Sequence, residues 1–368
     1  MPQVRKAFVI TNPMIAANRS AEVTLSKFLR VIKPLFENVT VIGGNLSVEP
    51  DLSDLELISF EIVRSGNKAK RAIDILGVQF QMQSAVKQLV SKNDTVFFWI
   101  GDKMILPYRA TKSKGAEINY FIMGNVAKEG NVSRFTQLSS KLIRYMAEHA
   151  DYVCMESKSV IEEWPGLKAE SIRVIHLYTD NIEMNPISER DNVIGMVCRL
   201  TAGKHVLESI QAMAQVHRTH PGWKLEIIGS GRQQDECEKL ITELHAGEYI
   251  KLLGWVEHDE IIEKSRKWKY LLFPTDTEGM PNGLLEMMGR GIPALASPVG
   301  GIKDVLIDGI NGFVLKNTTT DSIRDGLIRI IDTDGESYKA CAVEAFNIVN
   351  KEYSLDGAVK NAHDVIGA

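Results

Sequence analysis

Two glutamates eight positions apart form the most specific chemical pattern of this sequence. Glu278 follows the apolar segment LLFP, the turn GMPNG comes next, and Glu286 lies in the opening of an apolar helical segment. The amides of Asn282, Gly283 and Leu284 open that helix, where free N–H groups and the helix dipole attract anions. A carboxylate one turn further suits vicinal hydroxyls such as those of a ribose. Taken singly, Asn282 and Glu286 would more simply cap and decorate a helix.

A pair of cations follows an earlier strand-like segment, GMVC. Arg199 comes at its end, and Lys204 lies five residues later beside Gly203, just before a helical segment. Two cations with a glycine at a helix start suit a diphosphate. An isolated pair of this kind is more often a solvated loop. Neither G-x-x-x-x-G-K-[ST] nor G-x-G-x-x-G occurs in this segment, so neither P-loop chemistry nor nicotinamide binding is indicated.

A turn of small residues lies between these two loops. Gly229, Ser230 and Gly231 follow the segment KLEII and precede another helical segment. In a nucleotide site such residues let the backbone approach the ligand closely. A plain tight turn explains the same residues equally well.

The three loops belong to a regular alternation of strands and helices. Short runs rich in Val, Ile and Phe alternate with segments of helical period up to about residue 155, and the alternation restarts near residue 193. Strands that are apolar on both faces and alternate with helices predict parallel sheets covered on both sides. The polar, aperiodic stretch around residues 180–191 predicts a linker. Open parallel sheets bind ligands beyond the carboxyl ends of their strands, which makes these loops the expected sites.

Composition excludes several other classes of protein. The 368 residues carry 43 Lys and Arg against 47 Asp and Glu, and a net charge of −4 does not indicate a nucleic-acid partner. The four cysteines form no C-x-x-C pair, so we expect reduced, mostly buried thiols rather than a zinc site or a disulfide framework. The sequence contains neither a signal-peptide pattern nor a membrane-spanning apolar stretch, and the simplest expectation is a cytoplasmic protein.

One segment departs from the acidic average. Between Val63 and Lys114 the sequence has ten basic residues and three aspartates. The basic residues are Arg64, Lys68, Lys70, Arg71, Lys87, Lys92, Lys103, Arg109, Lys112 and Lys114. The amphipathic segment RAIDILGVQFQMQSAVKQLV and the pair Lys112 and Lys114 suit an acidic membrane leaflet, which predicts peripheral contact with the inner membrane face. Lysines on solvated helix faces are the alternative interpretation.

Several motifs together resemble the family 4, or "group 1", GT-B glycosyltransferases. They are EGMPNGLLEMM with its two glutamates, the following GIPALASPVGGIKDVLIDGINGFVL and the upstream GMVCRLTAGK. The similarity is close over residues 190–320 and extends further in the alternation and in the ending KEYSLDGAVKNAHDVI. It implies an α/β protein of two facing Rossmann-like, doubly wound parallel-sheet domains. The expected domains are residues 1–182 on the acceptor side, residues 190–345 binding the nucleotide sugar, and a helical segment 346–368 packing back on the N-terminal domain.

The resemblance also implies an activity. A hexosyl-type sugar would pass from a nucleoside-diphosphate sugar to a glycan or lipid-linked acceptor, with retention at the anomeric carbon and without a metal or other cofactor. Arg199 and Lys204 would stabilise the charge that grows on the leaving phosphate. Glu278 would position the donor sugar near the reacting centre, and Glu286 would bind the ribose. The other donor contacts so implied are Gly279, Met280, Asn282, Gly283, Leu284, Gly229 and Ser230.

The N-terminal half departs from the family pattern. Where members carry a glycine pair after the first strand, this chain has Arg19 and Ser20 as the candidate residues of that loop. Where many carry a histidine near the sugar, it has Met123, Gly124 and Asn125. We therefore expect a diverged acceptor side. Two further functions stay open: a nucleotide-sugar-binding protein without transfer activity, and a GT-B epimerase acting on a nucleotide sugar.

Overall fold

The computed structural model describes residues 6–12, 19–62, 68–100, 104–122, 134–167, 171–180 and 182–367. The chain forms two compact units, each with its own sheet. Unit 1 combines Met1–Tyr178 with Leu355–Ala368, and unit 2 comprises Thr179–Ser354. The predicted linker around residues 180–191 thus makes most of its contacts within unit 2.

Within the described ranges, unit 1 contains a parallel sheet of seven strands in the order β3-β2-β1-β4-β5-β6-β7. The strands are β1 (Lys6–Thr11), β2 (Asn38–Gly44), β3 (Glu56–Phe60), β4 (Thr95–Trp99), β5 (Glu117–Phe121), β6 (Tyr152–Met155) and β7 (Ile172–Val174). The helices of this unit are α1 (Arg19–Ile32), α2 (Lys68–Leu89), α3 (Ile105–Lys114), α4 (Arg134–Glu148) and α12 (Leu355–Ile366). The order reverses at β1 and β4, as in a doubly wound sheet.

Both faces of this sheet are covered because its central strands are apolar on both sides. Five of the six residues of β1 are buried. On one face, Phe28 of α1 stacks on Trp99 with ring centroids 4.3 Å apart. On the other face, Val78 and Met82 of α2 pack in a second buried cluster with residues of α3 and β4.

Unit 2 repeats the architecture with six described parallel strands in the order β10-β9-β8-β11-β12-β13. The strands are β8 (Val193–Val197), β9 (Lys224–Ile228), β10 (Ile250–Gly254), β11 (Tyr270–Phe273), β12 (Ala294–Ala296) and β13 (Gly312–Val314). The helices are α5 (Val206–His217), α6 (Gln234–Glu243), α7 (His258–Ser265), α8 (Asn282–Met288), α9 (Ile302–Val305), α10 (Thr320–Ile331) and α11 (Gly335–Glu352). Because β8 lies between β9 and β11, the loops that follow these three strands are brought to one edge.

The C-terminal helices correct the predicted start of the returning segment at residue 346. Residues 346–352 complete α11, and Ala345 and Val349 of that helix are fully buried in a core cluster of unit 2. A continuous hydrogen-bonded helix with one apolar face stays with the core that buries this face. The segment belonging to unit 1 therefore begins only at Leu355, where α12 packs against α1 through Ala358, Ala362 and Ile366.

None of the helices in the described ranges combines the length and the apolar character that crossing a lipid bilayer requires.

Candidate functional site

At the carboxyl edge of the unit 2 sheet, two of the predicted residues are in direct contact. Lys204 follows β8 and Glu278 follows β11, and the Lys204 ammonium forms an ion pair with Glu278 Oε1. Their side chains are only 18% and 16% exposed. Removal from bulk water strengthens such a pair, because the local dielectric constant is lower than that of the solvent. The cation of the first loop and the carboxylate of the third loop thus form one polar cluster.

The hydroxyl of Thr275 joins the two charged groups. It accepts a hydrogen bond from Lys204 Nζ at 3.1 Å and lies 3.2 Å from Glu278 Oε1. The backbone N–H of Thr275 donates to Ser297 Oγ at 3.0 Å, which fixes the residue at the end of β11. Sequence analysis missed Thr275. The available signal was a polar residue placed directly after the buried segment LLFP, only three positions before Glu278.

A second contact holds the same two loops together. His205 Nε2 lies 2.6 Å from Asp276 Oδ1, and the N–H of Asp276 donates to the carbonyl of Gly203 at 3.1 Å. His205 has a left-handed backbone, with φ of 48°, at the point where α5 begins. The residue after Lys204 and the residue two positions before Glu278 are therefore in contact as well. The Lys204–Glu278 pair and the His205–Asp276 pair together fix the relative position of the two loops.

The predicted cation Arg199 is placed differently from Lys204. Its side chain is exposed. In the part of the chain that the structure describes, no hydrogen bond or ion pair holds its guanidinium. Lys204 thus occupies a fixed position, whereas Arg199 offers an exposed charge just beyond the end of the same strand.

The glycine turn after β9 packs against the first loop. Gly229 has φ of 137°, and a Cβ atom there would lie 1.9 Å from the carbonyl oxygen of Cys198. The N–H of Leu200 donates to the carbonyl of exposed Ser230 at 3.0 Å. Glycine is therefore required at position 229 because the loop after β9 approaches the loop after β8 closely.

The GMPNG turn is held by the glycine pair that follows β12. The N–H of Gly301 donates to the carbonyl of Gly279 at 2.6 Å. Gly300 has φ of 48°, and a Cβ atom there would lie 1.7 Å from the carbonyl oxygen of Glu278. These contacts leave Gly279 exposed and Met280 partly exposed.

The helix that follows this turn corrects one part of the prediction. α8 has only seven residues, and the N–H of buried Leu284 donates to the carbonyl of Pro281 at 3.1 Å. That amide is consequently committed to the turn and does not point at a ligand. Asn282 is exposed and does not cap the helix, since the N-cap residue is Pro281. The anion attraction that we expected from this helix start is thus weaker than the sequence indicated.

Glu286 lies one turn into α8 and faces α7. His258 Nε2 is 3.2 Å from Glu286 Oε1, and the glutamate side chain is 18% exposed. His258 is the first residue of α7 and follows the loop after β10. That loop also carries Trp255, which is 67% exposed. The second glutamate of the motif is therefore oriented by a residue of a fourth loop, which sequence analysis did not single out.

Comparison with known proteins assigns unit 2 to a family. The model of the family described as "Glycosyl transferases group 1" matches residues 178–347, which is nearly all of this unit. The C-terminal unit of this chain is therefore similar to the group 1 glycosyl transferases. The match confirms the resemblance seen in the motifs, and the group 1 unit contains the paired Lys204 and Glu278 and the second glutamate Glu286.

Individual relatives of the group 1 unit differ greatly in length. An exopolysaccharide phosphotransferase of Streptomyces coelicolor is 31% identical over 140 residues, which are 38% of this chain and 15% of that protein. An N-acetyl-alpha-D-glucosaminyl L-malate synthase of Bacillus anthracis is 24% identical over 300 residues, 78% of this chain and 72% of that protein. The chain spans less than half the length of several curated relatives that it matches.

A solved structure resembles the whole chain. HepE of Anabaena in complex with UDP superimposes with a TM-score of 0.74 at 17% identity, covering 98% of this chain and 99% of that one. At this level of identity the likeness concerns the fold. It confirms the predicted GT-B fold with two Rossmann-like sheets.

Of the residues predicted in unit 1, the structure describes Arg19 and the backbone of Ser20. Arg19 does not lie in a loop: it opens α1, and its guanidinium forms ion pairs with Glu22 at 3.6 Å and Glu49 at 3.2 Å. Two carboxylates already compensate this cation, which makes it a poor candidate for a phosphate contact. The backbone of Ser20 belongs to the same helix. Its side chain and residues 123–125 lie outside the described parts.

An unpredicted carboxylate follows β6 at the carboxyl edge of the unit 1 sheet. Glu156 comes directly after Met155 and is partly exposed. Desolvation by burial raises the pKa of its carboxyl to about 7, and the charge of nearby Lys27 opposes this shift. Among the described residues, no hydrogen bond or ion pair holds the Glu156 carboxyl. Lys27 is buried and donates to the carbonyl of Tyr178 at 3.2 Å.

The cysteines can be compared with the prediction of reduced, mostly buried thiols. All four cysteines are free; Cys154, Cys237 and Cys341 are buried and Cys198 is partly buried, as expected. Burial raises the pKa of the Cys198 thiol to about 12, and the nearby Lys204 opposes this shift. Across the described ranges, no three His, Cys, Asp or Glu side chains come together in a way that could hold a metal ion.

Proposed function

We propose that this chain is a glycosyltransferase that moves a sugar from a nucleoside-diphosphate sugar to a glycan or lipid-linked acceptor. The observation that carries the proposal is the contact of Lys204 with Glu278 at the carboxyl edge of the group 1 unit. A cation for a diphosphate and a carboxylate for sugar hydroxyls lie side by side where open parallel sheets bind ligands. The UDP in the HepE complex supports a nucleoside diphosphate as part of the ligand.

The ion pair supplies a way to receive the donor without leaving a buried charge unpaired. In the free protein, Lys204 and Glu278 compensate each other. A bound donor would offer Lys204 a diphosphate and Glu278 the hydroxyl groups of the sugar, and each charge would then keep a partner. Because an unpaired buried charge is costly, this exchange favours a ligand that provides both groups at once.

Catalysis in this proposal is stabilisation of a leaving group. As the bond to the anomeric carbon breaks, negative charge grows on the β-phosphate. Lys204 and the exposed Arg199 would stabilise that charge more in the transition state than in the ground state. Glu286, oriented by His258 at 3.2 Å, would hold the ribose. The backbone of Gly279, Met280, Asn282 and Gly283 would line the sugar.

Retention of the anomeric configuration and independence of metal are the finer parts of the proposal. Retention rests on the family resemblance, and the anomeric coupling constant of the product measured by NMR tests it. Metal independence rests on the two cations that can perform the role of a divalent ion. We expect saturating EDTA to leave the initial rate nearly unchanged. Loss of most of the activity, restored by Mg²⁺ or Mn²⁺, would contradict it.

The acceptor site is proposed at the carboxyl edge of unit 1. Glu156 follows a strand there, and none of the described residues forms a hydrogen bond or ion pair with its carboxyl. Its pKa of about 7 suits a group that accepts a proton from a hydroxyl near neutral pH. Lys27, whose charge acts on Glu156, would keep part of the carboxylate ionised. No nucleic acid is expected as a partner.

A panel of donors tests the activity itself. Thermal-shift measurements with UDP, GDP and ADP identify the base, because a ligand at 100 times its Kd adds about 2.7 kcal/mol of stability. The protein is then incubated with a panel of nucleoside-diphosphate sugars that contain this base, with and without acceptor. Sugar transferred or released supports the proposal. An isomerised donor would indicate the epimerase, and binding without turnover would indicate a nucleotide-sugar-binding protein.

A further inference from the structure

The second helix of unit 1 is apolar on both of its long faces. One face of α2 packs on the sheet, where Val78, Met82 and Val86 are at most 4% exposed. The opposite face carries Ile73, Leu76 and Phe80, a set that we call the α2 stripe. These side chains are 68%, 50% and 60% exposed. A helix that is apolar all round normally has both faces buried.

The spacing makes the stripe continuous. Leu76 follows Ile73 by three residues and Phe80 follows Leu76 by four, so the three side chains lie along one line of the helix surface. Each is half or more exposed. Leu89, the last residue of α2, is 42% exposed and lies nine residues beyond Phe80, and Tyr145, 46% exposed, lies on α4. Three aligned side chains form a contiguous apolar patch, which distinguishes them from the scattered exposed apolar residues of an ordinary surface.

The sequence of the helix that carries the stripe is rich in basic residues. The sequence of α2 contains Lys68, Lys70, Arg71 and Lys87 and a single acid, Asp74. One carboxylate oxygen of Asp74 is buried. Lys87 is exposed in the last turn of α2, and Arg109 is exposed on α3, which packs alongside.

We infer that the α2 stripe lies on an anionic lipid bilayer, with α2 parallel to the membrane surface. Ile73, Leu76 and Phe80 would enter the boundary between headgroups and acyl chains, and Lys87 and Arg109 would contact lipid phosphates. Apolar contact and charge attraction are the two contributions that bind interfacial helices. A second copy of this chain is a poorer occupant, since a twofold interface would bring the same cations against each other.

This inference goes beyond the proposed function, because it concerns where the enzyme is held and not which bond it makes. Its failure would leave the donor chemistry of unit 2 unaffected. If both hold, a lipid-linked acceptor would reach an enzyme that already lies on the same surface.

Vesicle flotation with the full-length protein tests the inference. The probes are vesicles of phosphatidylcholine alone and of phosphatidylcholine with 30% phosphatidylglycerol, at low and at high salt. We expect binding to the anionic vesicles at low salt, and at least about tenfold weaker partitioning to the neutral vesicles or at high salt. Equal partitioning to both vesicle types, or no binding to either, would overturn the inference.

Variants locate the contact. The triple variant Ile73→Ser, Leu76→Ser, Phe80→Ser should reduce partitioning to the anionic vesicles at least about tenfold. The matched control is Ile307→Ser with Ile310→Ser, two unit 2 residues that are 51% and 53% exposed, and it should bind like the parent. Since the stripe does not contribute to the core, both variants should keep the parental melting temperature. If the triple variant does not fold, the single variant Phe80→Asp replaces it with the same expected direction.

Two results would reassign the surface. Parental binding by a folded stripe variant would place the membrane contact elsewhere and refute the inference. A dimer of the parent in light scattering that the stripe variant abolishes, without loss of vesicle binding, would show that the stripe joins two copies of the chain.

Discussion

The carboxyl edges of the two sheets differ in how the charge of a carboxylate at a strand end is compensated. In unit 2, Glu278 is paired with Lys204 and lies within hydrogen-bonding distance of Thr275. In unit 1, Glu156 has the charge of Lys27 nearby, and burial holds its pKa at about 7. The edge of unit 2 is thus compensated before any ligand arrives, whereas the edge of unit 1 carries a carboxyl that changes charge near neutral pH.

The difference follows the family match. The family model matches unit 2, which contains the compensated edge. The departures from the family motifs fall in unit 1. A donor with a constant diphosphate can be received by a constant set of loops. Acceptors differ in shape and charge, and the edge proposed to receive them need not keep a common set of residues.

Removing the cation of unit 2 is the strongest way to break this comparison. Lys204→Ala should lower kcat/KM for the donor by a factor of about 100 to 1,000, because a fixed charge at the developing negative charge is lost. The release of nucleoside diphosphate measures the rate. Lys224→Ala, at an exposed position where β9 begins, is the matched control and should keep the parental rate. Similar rates for both variants would remove Lys204 from the chemistry.

Substitutions of the two glutamates of unit 2 should impair different properties, nucleotide binding for Glu286 and turnover for Glu278. Glu286→Ala should weaken both the donor and the free nucleoside diphosphate by about 1.5 to 3 kcal/mol, roughly ten- to a hundredfold in affinity, because a charged hydrogen bond to the ribose is lost. Glu278→Ala should lower kcat with little effect on diphosphate binding. Calorimetric titration with the diphosphate beside steady-state rates gives the comparison. The opposite pattern would reverse the two roles.

The carboxyl of unit 1 should affect stability in a pH-dependent way. Its pKa is about 7 in the folded protein against a reference value of 4.5. Folding therefore favours the protonated form, and the stability that this provides is complete below about pH 4.5 and lost as the pH rises through 7. Glu156→Gln should be more stable than the parent at pH 8 by roughly 1 to 3 kcal/mol, with solvent screening at this partly exposed group lowering the value, and about equal at pH 4.5.

Denaturant unfolding at the two pH values measures this difference. Glu37→Gln, at an exposed position of the same unit, is the control and should follow the parent at both pH values. A Glu156→Gln variant that also follows the parent would show that this carboxyl is as well compensated as Glu278, and the contrast between the edges would disappear.

The smallest expected effect sharpens the comparison within unit 2. Thr275→Val keeps the volume and removes the hydroxyl between Lys204 and Glu278, which should cost about 1 kcal/mol of transition-state stabilisation, roughly a fivefold loss in kcat/KM. Thr277→Val removes an exposed hydroxyl two residues away and should have no such effect. Equal rates for these two variants would mean that the ion pair needs no hydroxyl to hold its orientation.

Much of the fold could be predicted from the sequence because it depends on local periodicity. Apolar runs that alternate with helical segments indicated two doubly wound sheets, and both are present. The eight-residue spacing of Glu278 and Glu286 placed them correctly, one in the loop after β11 and the other in α8. The boundary at residue 346 was wrong. The spacing of apolar residues shows that a helix has a buried face, but it does not show which of the two cores buries that face.

Contacts between distant segments were decided only by the tertiary structure. Lys204 and Glu278 lie 74 residues apart and meet because β8 and β11 are neighbours in the sheet. Strand order also brings Asp276 to His205, and folding brings His258, at the start of α7, to Glu286 of α8. The sequence determined which loops carry charge, since that is a property of each segment. Which charges compensate one another depends on the neighbours that each segment acquires on folding.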